Sequence, residues 1–392
     1  MSKSIDRTFE GYRRPDGSVG TRNFVGVIST VVCSNNVTRS IVSRVPGAAF
    51  FTHQQGCCQT PVDIEKVNRT LISLGLNPNL HSVLLVSLGC ESTDVGRVAE
   101  MISKTGKRVE IVEIQGSGGA SNAINQGVLL TEKLVREASK IQRETCEISD
   151  LVLGLKCGSS DTTSGLISNP ALGRVVDLLI DNGGSAVLGE TTEFIGAEHI
   201  LVTHAANKEL GDRILRYVER IENRAKSIGV DMRGGQPTGG NIKGGLTTIE
   251  EKSLGAIAKA GKSIIKDVFE YGDRVLVKGL SVMDSPGREP ELLTGLAASG
   301  CIVIAFTTGR GAPQGFPFVP VVKITGNSNT ARTLSQHIDV DVSPVLEGKI
   351  GLEEAAKNIL SSLCSFASGE FTQAEVCGYG DSMDIYVTGP VI

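Results

Sequence analysis

Over residues 1–145, short apolar runs alternate with stretches whose apolar positions recur every three or four residues, so strands should alternate with amphipathic helices. Strands are expected at 24–32, 48–52, 82–87 and 109–114. Pro61 sits where a first helical turn accepts proline, and the helix it opens, over 62–74, places Ile64, Val67, Leu71 and Leu74 on one face. A long amphipathic helix over 121–143 closes the unit, and the charged stretch 140–150 marks a boundary. A second unit opens on the apolar strand LVLGLK (151–156). It continues through a helix at 172–182, a strand at 186–188, a charged helix at 207–228 and strands at 301–306 and 319–324. Repeated β-turn-α order implies the α/β class, with mostly parallel sheets covered by helices. Two domains follow, 1–145 and 146–392, the second large enough to form two lobes. No repeat of fixed period is present.

Composition narrows the function. The 392 residues carry 39 basic and 43 acidic side chains, a net charge of -4, with no basic block to track a phosphate backbone, so nucleic acid is not an expected partner. The polar start, residues 1–10, lacks the apolar core of a secretion signal, and no apolar run reaches the roughly 20 residues of a membrane span. A cytoplasmic protein without membrane contact is expected. Nine cysteines in such a chain argue against a disulfide framework and leave thiols as core filler, metal ligands or reactive groups.

Four cysteines share one local design, an apolar strand running into a small or polar turn: VVCSNN at Cys33, THQQGCCQT at Cys57, VSLGCESTD at Cys90 and GLKCGSSD at Cys157. In a parallel sheet such turns lie at the carboxyl edge, where ligands bind, although a buried cysteine is also an ordinary small apolar filler. His53, four residues before Cys57, is a metal or acid-base candidate or a hydrogen-bonded scaffold residue. Glu91 and Asp161 are candidate bases or oxygen ligands, or helix caps. Glu190 and Glu193, with Glu198 and His199, follow another apolar strand, where a helix start would favour acids anyway. The glycine-rich stretch 233–253 runs into a helix, and its 239–245 segment could cradle a carboxylate through backbone amides at Gly244 and Gly245, with Lys243 as base or anion contact. Neither a Walker loop nor a G-x-G-x-x-G dinucleotide fingerprint is present, which argues against ATP and NAD. Arg310, in FTTGRG, offers a fork suited to a carboxylate.

The segments GYRRPDGSVGTRNF, CSNNVTRSI, H-x-x-G-C, LGCE, KCGSSDTTSG, SNPALG, GETTEFIGAEH, GNIKGGLTTIEEKSLG, MDSPG, FTTGRG and SGEFTQAE, in this order, resemble the altronate and galactarate dehydratase family. The resemblance spans nearly the whole chain. It implies a hydro-lyase acting on a sugar acid, usually iron-dependent, with a second α/β domain followed by a large carboxyl-terminal domain. It also implies a small amino-terminal antifreeze-like (SAF) domain, expected to be missing here because GYRRPDG begins at residue 11. In some members, the sister-like sulfolactate sulfo-lyases among them, that domain is a separate subunit, so a small-subunit partner within a homo- or hetero-oligomer is expected. The chain departs from the pattern at Cys58, where the family generally has glycine, and at Ser92-Thr93-Asp94 after LGCE, which leaves the substrate open.

Dehydrating a 2,3-dihydroxy acid to a 2-keto-3-deoxy acid removes a weakly acidic proton beside a carboxylate and expels a hydroxyl. A Lewis-acidic metal and an acid-base pair serve both steps. The expected iron ligands lie among Cys33, Cys57, Cys90 and Cys157, with His53 as ligand or catalytic group. Glu91, Asp161 and Lys243 are the acid-base candidates, and Asn241, Gly244, Gly245 and Arg310 the substrate contacts. Thiolates would suit an iron-sulfur cluster and a mixed nitrogen and oxygen set a single Fe2+, with Mn2+ as the other ion. The rival readings are the large subunit of a sulfolactate sulfo-lyase, which needs a further cationic contact for the sulfonate, and a non-catalytic scaffold subunit.

Overall fold

The computed structural model describes residues 7–235 and 237–392; Gln236, inside the glycine-rich stretch, and the first six residues lie outside it. The expected α/β alternation is present. Strands β3 (Phe24–Ser29), β4 (Ala48–Phe51), β5 (Leu80–Ser87) and β6 (Arg108–Glu113) form a parallel sheet in the order β4-β3-β5-β6. The helix Pro61–Gly75 starts as its sequence dictates: Pro61 occupies the first turn, and the Thr60 hydroxyl accepts from the Asp63 amide. The helix expected over 121–143 spans Ala120–Ala138 instead. The charged stretch behind it folds into a strand, β7 (Glu144–Glu147), which pairs antiparallel with β1 (Thr8–Arg13); β2 (Val19–Gly20) flanks β1 on its other side.

The second unit is built on one seven-stranded parallel sheet rather than two lobes. Its strands are β8 (Val152–Cys157), β9 (Ser185–Leu188), β10 (Ile265–Phe269), β11 (Leu280–Met283), β12 (Val303–Thr307), β13 (Val321–Thr325) and β14 (Val340–Asp341), in the order β10-β11-β9-β8-β12-β13-β14. Neither β10 nor β11 was expected from the sequence. All neighbours run parallel, so every carboxyl end meets one edge.

Strand order reverses once in each sheet. From β3 the chain steps to β4 on one side and returns to β5 on the other, and from β8 it steps to β9 and later returns to β12. The crevices at the carboxyl ends of β3/β5 and β8/β12 are therefore where an open α/β sheet takes ligands.

The two units share a core. Ile28, Phe51 and Leu71 of the first pack in one cluster with Tyr271, Leu292, Phe316 and Phe318 of the second. The amino-terminal Phe9 and Val19, with Cys146 of β7, are buried in the core of the seven-stranded sheet. Between the units, the amide of Asn79 donates to Ile302 O (3.0 Å) and Phe318 O (2.9 Å), and that of Asn77 to Ala297 O (2.8 Å). Buried backbone carbonyls need such partners, so these asparagines fix how the sheets meet.

Candidate active site

At the β8/β12 crevice lies a polar cavity of about 440 Å³, lined in part by Lys156, Cys157, Glu190, Glu193, Lys252 and Arg310. Lys156, Glu190 and Glu193 of its lining belong to a buried charge quartet completed by Lys259 behind them. Lys156, the penultimate residue of β8, donates to Glu190 Oε1 (2.7 Å) and to Cys157 O (2.7 Å). Lys259 donates to Glu193 Oε2 (2.5 Å) and to Ala256 O (3.2 Å). All four side chains are essentially excluded from solvent. Burying ion pairs seldom stabilises a fold beyond what apolar side chains would achieve, so a quartet opening on a cavity points to chemistry.

Their protonation is uneven. Burial, reinforced by the neighbouring Glu193 carboxylate, pushes Glu190 up to about 7 in spite of Lys156. Burial also opposes the charge of Glu193, but Lys259, Lys252 and Lys156 outweigh it and hold that carboxyl below its usual range. Lys156 and Lys259 are held above theirs because the glutamates overcome the burial cost. Near neutral pH Glu190 is thus divided between its protonated and ionised forms, as a general acid or base requires.

Glu190 is placed by strain. Its φ of 67° is left-handed, as are those of Ser159 (49°) and Cys58 (55°), the other non-glycine residues of this kind among those described. Such conformations cost of order 1–3 kcal/mol each and persist where the surroundings impose them. Around Glu190 the MDSPG segment does so: the Glu190 amide donates to Ser285 Oγ (2.7 Å), and Thr191 Oγ1 donates to Asp284 Oδ1 (2.6 Å).

Several expected site residues frame this cavity. Arg310 stands at its mouth, with Nη1 donating to Gly240 O (2.8 Å). Asn241 also lines it, but its amide is committed within the protein, donating to Ser160 O (3.1 Å) and accepting from Thr238 (2.9 Å). Cys157 is buried, in contact with Ser160 Oγ (2.9 Å) and approached by Asn169 Nδ2 (3.6 Å). Burial raises its thiol, which favours the protonated form over a metal-binding thiolate. Asp161 caps the turn that follows: Oδ1 accepts from Thr163 (2.7 Å) and the Ser164 amide (3.1 Å), and Oδ2 accepts from Asn327 (2.8 Å). It faces a separate cavity of about 330 Å³. Lys243 is exposed and does not line the principal cavity. The 239–245 segment is a short helical turn in which the amides of Gly244 and Gly245 bond to Gly240 O and Ile242 O, so they are not directed at an anion. Gly244 instead packs against Ser160 and Asp161, where a Cβ would come within 3.0 Å of both.

The remaining candidates gather at the β3/β5 crevice. Cys33, Cys58 and Cys90 are exposed and Cys57 half-buried. Their loops bond to one another: Val32 N donates to Gln55 O (3.0 Å), and Ser92 N to Gly56 O (2.9 Å). The structure does not bring Cys157 to this group, because β8 belongs to the other sheet. His53 is a buried scaffold residue here. Its Nε2 bonds to Ser29 O (2.9 Å) and its Nδ1 accepts from the Gln55 amide (3.1 Å), so no ring nitrogen is open to a metal or substrate. Burial lowers it to about 4, leaving it neutral. Glu91 is likewise engaged, accepting from Thr30 (2.7 Å), Leu88 N (3.2 Å) and Gly89 N (2.7 Å).

These placements test the fit of a metal. Among the described residues no three His, Cys, Asp or Glu side chains stand ready to chelate one ion. What the β3/β5 crevice offers is thiols together with the carboxylate of Glu113, which stands beside Gly89 at the end of β6, a mixed set that does not select one metal.

Sequence reasoning missed Lys156 and Lys259. The available signal was a lysine inside the apolar run LVLGLK, a buried cation that must find a carboxylate, with Glu190 at the end of the adjacent strand.

The molecule is thus a doubly wound α/β protein with a polar cavity at the switch point of its larger sheet. The chain belongs to the galactarate and altronate dehydratase family. Residues 148–389 match the family model for the D-galactarate/altronate dehydratase C-terminal domain, and residues 11–139 match that for the D-galactarate dehydratase/altronate hydrolase second domain. It is 40% identical to a (2R)-sulfolactate sulfo-lyase subunit beta of Chromohalobacter salexigens, over 95% of this chain and 96% of that subunit. It is 34% identical to an altronate dehydratase of Bacillus subtilis, over 94% of this chain and 76% of the relative. A galactarate dehydratase (L-threo-forming) of Escherichia coli is 33% identical, over 98% and 77%. These relatives bear the names of lyases, and the chain is an enzyme of that class. Among the described residues no helix is long and apolar enough to cross a membrane.

Proposed function

We propose that the chain is the catalytic large subunit of a lyase that removes the C2 proton and a C3 leaving group from a small 2-hydroxy acid, as in dehydration of an altronate-like sugar acid to a 2-keto-3-deoxy acid. The observation that carries this reading is Glu190, buried, lifted to about 7 and lining an open polar cavity. A base poised near neutral pH is what abstraction of a weakly acidic proton requires. Arg310 and Lys252 supply positive charge for the substrate carboxylate. Lys156 holds Glu190 Oε1 in place, and Lys259 keeps Glu193 ionised beside it. Iron, when bound at the thiol-bearing loops, supplies a Lewis acid for the leaving group.

A second reading, elimination of sulfite from a sulfolactate-like acid, draws support from the 40% identity over nearly all of a sulfo-lyase subunit. The cavity also has a cation beyond the one a carboxylate needs, since Lys252 and Arg310 both line it. That relative is named a subunit, which supports a small partner protein here too. The test is anaerobic purification of the chain with its small subunit, then assay of altronate, galactarate and sulfolactate for keto-acid and sulfite release. Keto acid without sulfite supports the dehydratase reading, and sulfite the second. No turnover of any of the three would leave a non-catalytic scaffold and overturn both.

A further inference from the structure

Three carboxylates line the acid-base cavity, and Glu289 differs from the other two. Glu190 and Glu193 are sealed from solvent in their lysine pairs, whereas 35% of the Glu289 side chain is exposed. It opens the helix Glu289–Ala298, directly after the MDSPG segment that holds Glu190. Three features keep its carboxylate at the cavity wall. The start of a helix favours a negative charge. Lys156 Nζ lies 3.8 Å away. Gly158 leaves the room, since a Cβ there would come 2.9 Å from Glu289 Oε1.

What Glu289 lacks is a donor. Lys156 directs its three protons at Glu190 Oε1 (2.7 Å), Cys157 O (2.7 Å) and Gly287 O (3.4 Å), so it gives Glu289 a counter-charge without a hydrogen bond. Among the described residues no other donor reaches this carboxylate. An ionised carboxylate only accepts, so a ligand that satisfies Glu289 must bring O–H or N–H groups. The charges of the cavity agree. With Glu190 ionised as the base, the lining sets Lys156, Lys252 and Arg310 against Glu190, Glu193 and Glu289, and Lys259 adds one positive charge behind them. One negative charge on the ligand balances the site. A second would lie beside Glu289 without a counter-ion, since Lys252 is already set against Glu193, which it helps keep ionised.

We propose that Glu289 determines the specificity of this site: it accepts hydrogen bonds from the hydroxyls at the far end of a polyhydroxy acid and turns away acids whose far end is a second carboxylate or a sulfonate. This rests on the lyase reading, with Arg310 and Lys252 at the substrate carboxylate, and it selects within that reading the monoanionic polyhydroxy acid over a diacid or a sulfonate. A site built to bond a hydroxyl discriminates strongly against a ligand that lacks it, because the protein's polar group then stays unpaired, and a like charge in the same place adds repulsion. The same carboxylate thus both attracts one class and excludes the other.

The experiment compares the wild type with Glu289→Gln and Glu289→Asp, each purified anaerobically with its small subunit, on altronate, galactarate and sulfolactate. The wild type should favour altronate. Glu289→Gln, which keeps an acceptor and removes the charge, should raise kcat/KM for the two dianions relative to altronate by about 10-fold or more, chiefly through KM. Glu289→Asp should keep the wild-type order. A residue that merely braces Lys156 would change all three substrates by one factor, and that result would overturn the proposal. A wild type faster on galactarate or sulfolactate than on altronate would overturn it too, while leaving the lyase reading in place. If the wild type turns over none of the three, the lyase reading fails and calorimetric binding of the same acids decides: tighter dianion binding by Glu289→Gln than by the wild type supports the inference, and equal binding overturns it.

Discussion

A single residue, Glu190, decides whether the second-sheet cavity is a reaction site. Its carboxyl is raised to about 7, chiefly by burial, so below that pH it is protonated and unable to accept a proton, and above it the base form accumulates. We therefore expect kcat/KM for elimination to rise with pH through a limb near 7. Glu190→Gln, which keeps the shape and removes the titration, should cost about 10²- to 10⁴-fold in kcat with the fold intact by circular dichroism. Lys156→Met removes the cation that lowers Glu190, so the same limb should move to higher pH; a limb that stayed in place would show that Lys156 does not position the base.

At the scale of elements, the turn after β12 must pass very close to the cap of the π-turn Ser164–Ser168. A Cβ on Gly309 would sit 2.1 Å from the Asp161 carboxyl carbon, and Asp161 cannot swing away without giving up Thr163, Ser164 and Asn327. Gly309→Ala should destabilise the protein by about 1–3 kcal/mol, measured as a shift of the denaturant midpoint at constant m-value. An unchanged midpoint would mean that Asp161 is not fixed as the structure has it. Elements also mark what was legible in the chain. Strands β3, β4 and β5 of the first sheet were readable because each is a compact apolar run between turn signals, and edge strand β6, RVEIVE, through its alternation of apolar and charged residues. Strand β10 was not: Ile265–Phe269 mixes an exposed lysine and a half-buried aspartate with its buried residues, because it lies at the sheet edge. The four cysteine turns looked equivalent because local sequence reports a strand end and not the sheet that owns it. The Lys156–Glu190 pair was hidden for a related reason, since its members are 34 residues apart and meet only through the pairing of β8 with β9.

For the whole molecule, the thiol-bearing loops and the acid-base quartet stand on different sheets, so the way the units are locked together becomes a catalytic variable. Besides the shared apolar core and the Asn77 and Asn79 amides, the lock is Arg22 in the GTRN turn. Its guanidinium grips Glu375 through two bonds (2.8 and 2.9 Å) and donates to Phe366 O (2.9 Å) and Glu370 O (2.8 Å), while only 5% of the side chain is exposed. Removing Arg22 takes the cation away from Glu375, which keeps only the Thr372 amide and hydroxyl, and a donor from the Phe366 and Glu370 carbonyls, at a cost of about 3 kcal/mol. Arg22→Met should therefore lower the calorimetric midpoint by several degrees. Because Ile28, Phe51 and Leu71 belong to the same core as Leu292 and Phe318, the unfolding should remain a single transition. Two separated transitions would show instead that the shared core and the asparagine bonds do not couple the sheets once Arg22 is gone. The same variant should lose more in kcat than in substrate affinity, since Arg310, Lys252 and Glu190 all sit within one unit and only the approach of the thiol-bearing loops depends on the lock.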